Sequence, residues 1–390
     1  MADIYSSHIF MFPFRFDWNK DGFKSKFSFY KNNNIGERVD FDLKKLKDRL
    51  GKSWKYQKFE LEKRTDLYNE YAYFYDYARD AIYNQSVEAA ISYYFEKELT
   101  NATYEITILS KDKPYILDIK SISMRVFHTG VSILSIELEN KTYDKFDDIL
   151  NINDFGRRIY PQFISDGQTK STKKSFLADS IQIKSKTLNV IENFCFKPSD
   201  DIVIGSHIME LLGESFSQNK NDKNKFYIQP SLDDRMFVLS WYGNKHESER
   251  LVDENYIDSD EWYKYVFVDN GEKTVFSPKM QAKLIKEATY DRWMNYQYDE
   301  KCSLTLYGVC RYSFVCLSTS DFPLPHMKTM YFQMVTLLLA TRTSIIRFSD
   351  EIAAVATSKD IDRLQPLYER YLTFYNRLYF KEITHQDQGI

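Results

Sequence analysis

Residues 156 to 161 read Gly-Arg-Arg-Ile-Tyr-Pro and follow a segment that carries Asp147, Asp148 and Asp154. Two successive arginines present planar, permanently charged forks that match phosphate or carboxylate oxygens two at a time. Gly156 permits the tight backbone turn that would present them. Arg157 and Arg158 are therefore candidate anion ligands, with pairing to the neighbouring aspartates as an equally weighted structural alternative. A second constellation, Asp233-Asp234-Arg235, stands at a turn just before Phe237, Trp241 and Tyr242. Acidic side chains at a turn can hold a ribose hydroxyl or an amine, and an aromatic wall can stack a base. An ordinary Asp-rich turn explains the same residues. Together Arg157, Arg158, Asp233, Asp234, Arg235 and Trp241 suit a ligand made of phosphate, sugar and ring.

A third pattern is Asp118-Ile119-Lys120 in a strand-like run, with Glu105 on the run before it. Period two puts Asp118 and Lys120 on one face, where a carboxylate can hold a divalent metal and a lysine can steady an attacking water, as in a metal-dependent nuclease. Any exposed strand face looks the same. The six histidines, His128 and His207 among them, show no metal-ligand spacing and read as structural residues. Cys195, Cys302, Cys310 and Cys316 form no CxxC pair and read as reduced, buried thiols. No phosphate loop, dinucleotide fingerprint, nucleophile elbow or zinc-protease helix is present, which weakens any enzymatic reading.

The elements that must position these groups are mixed. Residues 8 to 17 alternate as a strand with Phe10, Phe12, Phe14 and Phe16 on one side, and Pro13 predicts that this strand is short or lies at an edge. A helix is expected over 40 to 50; its Lys44, Lys45, Lys47 and Arg49 read as a solvated face. Runs at 103–109, 115–126 and 131–138, split by turn signals that include Thr129-Gly130, predict an antiparallel meander. A helix at 143–163 should break at Gly156. Polar stretches at 168–175 and 217–225 read as loops. Strands are expected at 225–229, 235–242 and 261–268, a helix at 278–296 with Pro278 in its first turn, and a last strand at 303–317.

With 390 residues, 43% hydrophobic and 28% charged, the chain has material for a packed core and two or three domains. Its 30 Tyr and 29 Phe belong chiefly to strands and core. A net charge of −3 and pI near 6.1 disfavour bulk nucleic-acid binding. No secretory signal is legible over 1–16, and the apolar run 335–340 is too short to span a bilayer, so any membrane span is expected beyond Ile390.

From Pro323 onward two long helices are expected. Met327, Met330, Met334, Leu337, Thr341, Ile345, Phe348, Ile352 and Val355 recur at three- and four-residue steps, as do Leu364, Leu367, Tyr371, Phe374 and Leu378. The second helix is still helical in pattern at the end of the sequence, with Lys381, His385 and Gln388 continuing its seam in polar form. A truncated stalk is preferred over a natural end. The fold class is thus α/β (α+β): a mixed, largely antiparallel sheet body with flanking helices over 1–320, followed by a helical stalk over 321–390.

The run from Thr129 to Asn140, then Asp148 to Pro161, resembles the cytoplasmic part of CorA-like membrane effectors associated with type III CRISPR antiviral systems. The segment from Phe348 to Ile352, and on through Asn376 to Gly389, is similar to the stalk that leads into their transmembrane helices. The resemblance touches about a third of the chain. It implies a homo-oligomer, expected to be a pentamer, on the cytoplasmic face of the bacterial inner membrane, gated by a nucleotide messenger that joins S-adenosylmethionine and AMP. Arg157 and Arg158 would then meet the phosphate, and Asp233 and Asp234 hydroxyl or amino groups. The Gly-Met-Asn signature of CorA transporters is not in these residues, so ion selectivity, including any divalent cation in the membrane part, is not legible. The rival readings are a soluble oligomeric scaffold and the nuclease built on Asp118 and Lys120.

Overall fold

The alternation of residues 6 to 19 organises the molecule. The computed structural model describes residues 4–19, 41–60, 68–83, 90–109, 111, 113–160, 177–194, 204–271, 274–298, 301–358 and 361–385. Within them one 14-stranded sheet is built from β1 (Ser6–Asn19), β2 (Lys55–Tyr56), β3 (Ser92–Lys97), β4 (Thr103–Thr107), β5 (Tyr115–Phe127), β6 (Val131–Asn140), β7 (Ser180–Lys184), β8 (Asn189–Asn193), β9 (Phe216–Ser217), β10 (Lys225–Pro230), β11 (Phe237–Gly243), β12 (Thr289–Tyr298), β13 (Lys301–Val309) and β14 (Ser313–Ser318). Its main path is β12-β13-β14-β11-β1-β6-β5-β4-β7-β8, antiparallel throughout except at β11 with β14; β9 with β10 is also parallel. The expected α/β class, with a largely antiparallel sheet and a C-terminal helical segment, is the observed one.

β1 is the centre of that sheet, not an edge, and it is fourteen residues long. Phe10, Phe12, Phe14 and Phe16 enter one apolar cluster, and Ile9 and Met11 enter another on the opposite face. Burial of each phenylalanine contributes roughly 1.5–3 kcal/mol. Pro13 is tolerated because of where it stands. One flank of β1 pairs continuously with β6, while the other pairs with β11 over residues 6–11 and with β10 over 14–19. The Pro13 carbonyl faces the gap between those two partners, toward Ser231 N at 3.4 Å. The proline nitrogen faces the same gap, so its missing N–H removes no ladder hydrogen bond.

The meander β4-β5-β6 forms as its turn signals predict, with Gly130 at φ 74° in the β5–β6 turn. The 40–50 helix is Leu43–Leu50, capped by Asp42, which accepts from Lys45 N at 2.8 Å. Three expectations change. Residues 261–268 are not a strand but most of the helix Asp260–Phe267: Ser259 accepts from Trp262 N, and two acids fill the first turn. The helix from Pro278 stops at Ala288, and β12, rich in aromatics, takes over at Thr289. The last strand is a hairpin of β13 and β14, turning through Cys310 to Tyr312. The 168–175 loop lies outside the described residues.

The C-terminal helical segment begins with Pro323–Lys328, breaks at Thr329, and continues as Met330–Ser358 and Ile361–Arg377. The long helix lies against β6 and β1. Leu337, Phe348, Val355, Leu367, Phe374 and Leu378 are buried as their spacing predicts, but Ile345, Ile352, Leu364 and Tyr371 are exposed. A stripe that steps every 3.5 residues drifts around a straight 3.6-residue helix, and it leaves the contact face. The last helix does not run to the end of the chain. After Arg377 the chain turns back, Tyr75 N donates to Ile383 O at 2.9 Å, and Thr384 forms a β-bridge with Phe74. Lys381 and His385 therefore do not extend its seam, and Gln388 lies outside the described residues. Among the described residues no helix is long and apolar enough to cross a membrane.

Candidate anion site and neighbouring cavity

Between the pairs Phe14–Pro230 and Met11–Phe237, two residues of β1 face the segment Ser231 to Met236. The surplus loops out of the sheet beside Pro13, between β10 and β11, and it carries Asp233, Asp234 and Arg235. Residues 157 to 159, leaving the helix Phe146–Gly156, pair with this loop: Met236 N donates to Arg157 O at 2.7 Å and Ile159 N donates to Asp234 O at 2.9 Å. The two constellations read from the sequence are thus brought together.

Gly156 acts differently from the expectation. Its backbone is not in the left-handed region, and a Cβ there would lie 2.7 Å from Ile106 Cδ1 and 2.9 Å from Phe10 Cε2. Glycine is required for close approach of the helix end to the sheet, where Tyr104 donates its hydroxyl to Gly156 O at 2.7 Å.

Arg158 is 1% exposed, and its guanidinium is bonded to the Asp234 carboxylate. His207 Nε2 donates to Arg158 O at 3.1 Å. Burial pushes the His207 imidazole down to about 4, so it is neutral there. Asp234 also forms an ion pair with Arg235, whose Nε lies 3.3 Å away. Burial, with the hydrogen bond to Asp233, raises Asp234 to about 6 against the pull of Arg158 and Arg235. Burial acts on Asp233 in the same sense, but its bonds with Asp234 and the charge of Arg235 outweigh it and hold that carboxyl low.

Arg157 is equally buried and performs a clamping role. Its Nη2 donates to Val268 O at 2.8 Å and lies 3.6 Å from Asp154. Val268 has φ 50°, a left-handed conformation that costs energy for a β-branched residue. Asp154 accepts from Asn270 N and Gly271 N, each at 3.0 Å. Arg157 and Asp154 thus hold the strained turn after the helix Asp260–Phe267. Burial lowers Arg157 to about 10, helped by Arg235 and Arg158, and it stays charged at neutral pH.

Two arginines missed from the sequence complete the site. Arg311, in the β13–β14 turn, and Arg342, on the long helix, join Arg157 and Arg235 around a cavity of about 30 Å³. Asp233, Phe237 and Tyr312 also line it. Arg342 Nη1 donates to Arg311 O at 3.3 Å, and burial followed by the charge of Arg311 lowers Arg342. A charged residue in a hairpin turn was the available signal for Arg311, hidden because residues 303–317 read as one strand. Arg158 does not line this cavity.

Trp241 is not part of this site. It is buried on β11, six residues after Arg235, and its indole Nε1 donates to Ser318 Oγ at 2.9 Å. Tyr242 points to the other face, into the cluster around Trp262. Asp118 is exposed and paired with Lys141 at 2.8 Å, and Thr103 donates to Glu105 at 3.2 Å. Among the described residues no group of three His, Cys, Asp or Glu is placed to hold a metal. Cys310 and Cys316 are free thiols, the second fully buried. Cys195 lies outside the described residues, as does the environment of Cys302.

Across Phe237 from the arginines lies a larger cavity of about 430 Å³. Its floor is Phe237, Tyr307, Phe314 and Tyr331; one wall is Met334, Leu337 and Thr341 of the long helix, and another is the returning segment at Leu378, Phe380 and Ile383. Arg292, Lys381 and Glu382 also line it. The chain matches no family model, no curated protein and no solved structure.

Proposed function

We propose that this chain is a ligand sensor whose ligand is nucleotide-like, with its phosphate met by arginines. The carrying observation is the convergence of Arg157, Arg235, Arg311 and Arg342, from four separate parts of the chain, on one cavity in a protein of net charge −3. Like charges brought together cost free energy unless an anion compensates them; Asp154 pairs with Arg157 and the Asp233–Asp234 pair with Arg235, while Arg311 and Arg342 have no carboxylate partner among the described residues. Arg235, Arg311 and Arg342 reach the phosphate, with Arg157 beneath them. Asp233 takes a hydroxyl or amino group, and Tyr312 and Phe237 offer ring faces in place of Trp241.

With the family resemblance, the reading extends to the sensor portion of a CorA-like membrane effector of type III CRISPR defence, gated by an S-adenosylmethionine–AMP messenger. Such a protein would be a homo-oligomer, expected to be pentameric, at the cytoplasmic face of the inner membrane. Arg342 supplies a mechanical link, since a ligand that draws it in acts directly on the long C-terminal helix. Gating then requires tighter binding to one of two arrangements of that helix.

Calorimetric titration with AMP, ATP, S-adenosylmethionine and the S-adenosylmethionine–AMP adduct tests this. The adduct should bind tightest, and Arg311→Glu/Arg342→Glu should weaken it by about a hundredfold, two lost charge-assisted contacts, at unchanged Tm. Equal affinity in the double variant, or no binding by any of the four, rejects the reading.

A further inference from the structure

The 430 Å³ cavity is separate from the arginine site and has a different chemistry. Its volume is that of pockets that take drug-sized molecules. The Tyr307 hydroxyl is engaged with Tyr331 and Cys316, so the floor presents ring faces and no spare polar group. Thr341 Oγ1 is likewise committed, donating to Leu378 O at 3.3 Å. The deep end therefore suits an apolar body. The charged lining consists of Arg292, Lys381 and Glu382, and neither Arg292 nor Lys381 has a carboxylate partner among the described residues. Arg292 lies over the Trp293 ring, 5.4 Å from its centroid. Two cations against one acid beside an apolar chamber favour a ligand with one anionic end.

We propose that this cavity binds a small amphipathic organic acid, its aromatic or aliphatic body seated between the β13–β14 hairpin and the long helix, its anionic group held by Arg292 and Lys381. The site does not depend on the nucleotide reading. It does share the helix with it, since Thr341 lines this cavity and the adjacent Arg342 lines the other. One wall is the segment after Arg377, fixed by the Thr384 bridge to Phe74, so occupancy also bears on how that segment is held.

The test uses 8-anilino-1-naphthalenesulfonate, an aromatic sulfonate whose fluorescence rises in apolar surroundings, with dodecanoate as competitor. Saturable one-to-one binding displaced by dodecanoate is expected. Met334→Trp, which fills the chamber, should abolish it. Arg292→Glu/Lys381→Glu changes only exposed or mouth-facing groups, and it should weaken the sulfonate by about tenfold or more while leaving the neutral analogue N-phenyl-1-naphthylamine unaffected. Arg311→Glu/Arg342→Glu should bind the sulfonate as the unaltered protein does, which separates this site from the nucleotide site. Unsaturable binding, binding that survives Met334→Trp in a folded protein, or equal loss of both probes on charge reversal overturns the proposal.

Discussion

Arg347 on the long C-terminal helix donates from Nη2 to Asp17 Oδ1 at 2.6 Å, with the two side chains 2% and 5% exposed. The same guanidinium donates to Glu351 at 2.8 Å, to Gly130 O at 2.6 Å and to Phe16 O at 3.1 Å. One cation thus ties the helix to the end of the central strand and to the β5–β6 turn. A buried charge held by several acceptors fixes a docking geometry more than it adds net stability. Removing Asp17 leaves Arg347 with Glu351 and the two carbonyls, whereas removing Arg347 leaves Asp17 and Glu351 buried without it.

Asp17→Ala should accordingly destabilise the protein by about 1.5–3 kcal/mol, whereas Arg347→Met, which leaves both buried carboxylates without their shared cation, should cost clearly more, about 3–5 kcal/mol. Urea denaturation followed by circular dichroism measures both. A single variant within about 1 kcal/mol of the parent would show that the pair does not hold the helix.

Stability should fall in mild acid. His8 donates or accepts only within a buried network of Asn153, Ser6 and Ser240, and burial lowers it to about 4, as it does His207. Between pH 6.5 and 4 the unfolded chain takes up protons at these residues that the folded chain does not, so stability is lost as pH falls, by up to about 3 kcal/mol for each. Asp234 acts oppositely: raised to about 6 from 3.8, it takes its proton earlier in the folded state, so its contribution grows as pH falls through 6. His207→Gln should flatten the pH–stability curve over this window and Asp234→Asn should steepen it. Identical slopes in all three proteins would refute the assignment.

Gly156→Ala should destabilise by about 1–3 kcal/mol although alanine favours helices, because its methyl would meet Ile106 and Phe10 below contact distance. Ile106→Val in the same chain should recover part of the loss if crowding is the cause. Thermal melts of the two variants decide it.

Asp118→Ala should change stability by less than about 0.5 kcal/mol, since its partner Lys141 is half exposed and such pairs contribute little. Incubation of the unaltered protein with DNA or RNA and magnesium or manganese should yield no cleavage. Cleavage that Asp118→Ala removes would restore the nuclease alternative.

Local chemistry was legible where it is decided within a few residues. The Phe10 to Phe16 alternation, the Thr129-Gly130 turn and the proline start at Pro278 each follow from side-chain period or backbone geometry, which neighbours in sequence set. The misread 261–268 segment belongs here too. Its aromatics suggested a strand, but Ser259 followed by Asp260 and Glu261 was a helix start in plain view.

The site was legible only as residue types. Gly-Arg-Arg and Asp-Asp-Arg are brought together by the fold, but that Arg158 would be spent on Asp234, 76 positions away, depends on where β10 and β11 part beside Pro13. The same holds for Arg311 and Arg342, which meet only because the hairpin and the long helix pack on one side of the sheet. Trp241 illustrates the converse. Its type suited a ring-stacking wall, yet strand phase and sheet packing buried it against Ser318. Period and propensity act over a few residues and are written in the chain, whereas register, strand order and the burial of charge are properties of the assembled sheet, and those decided which arginines line the cavity.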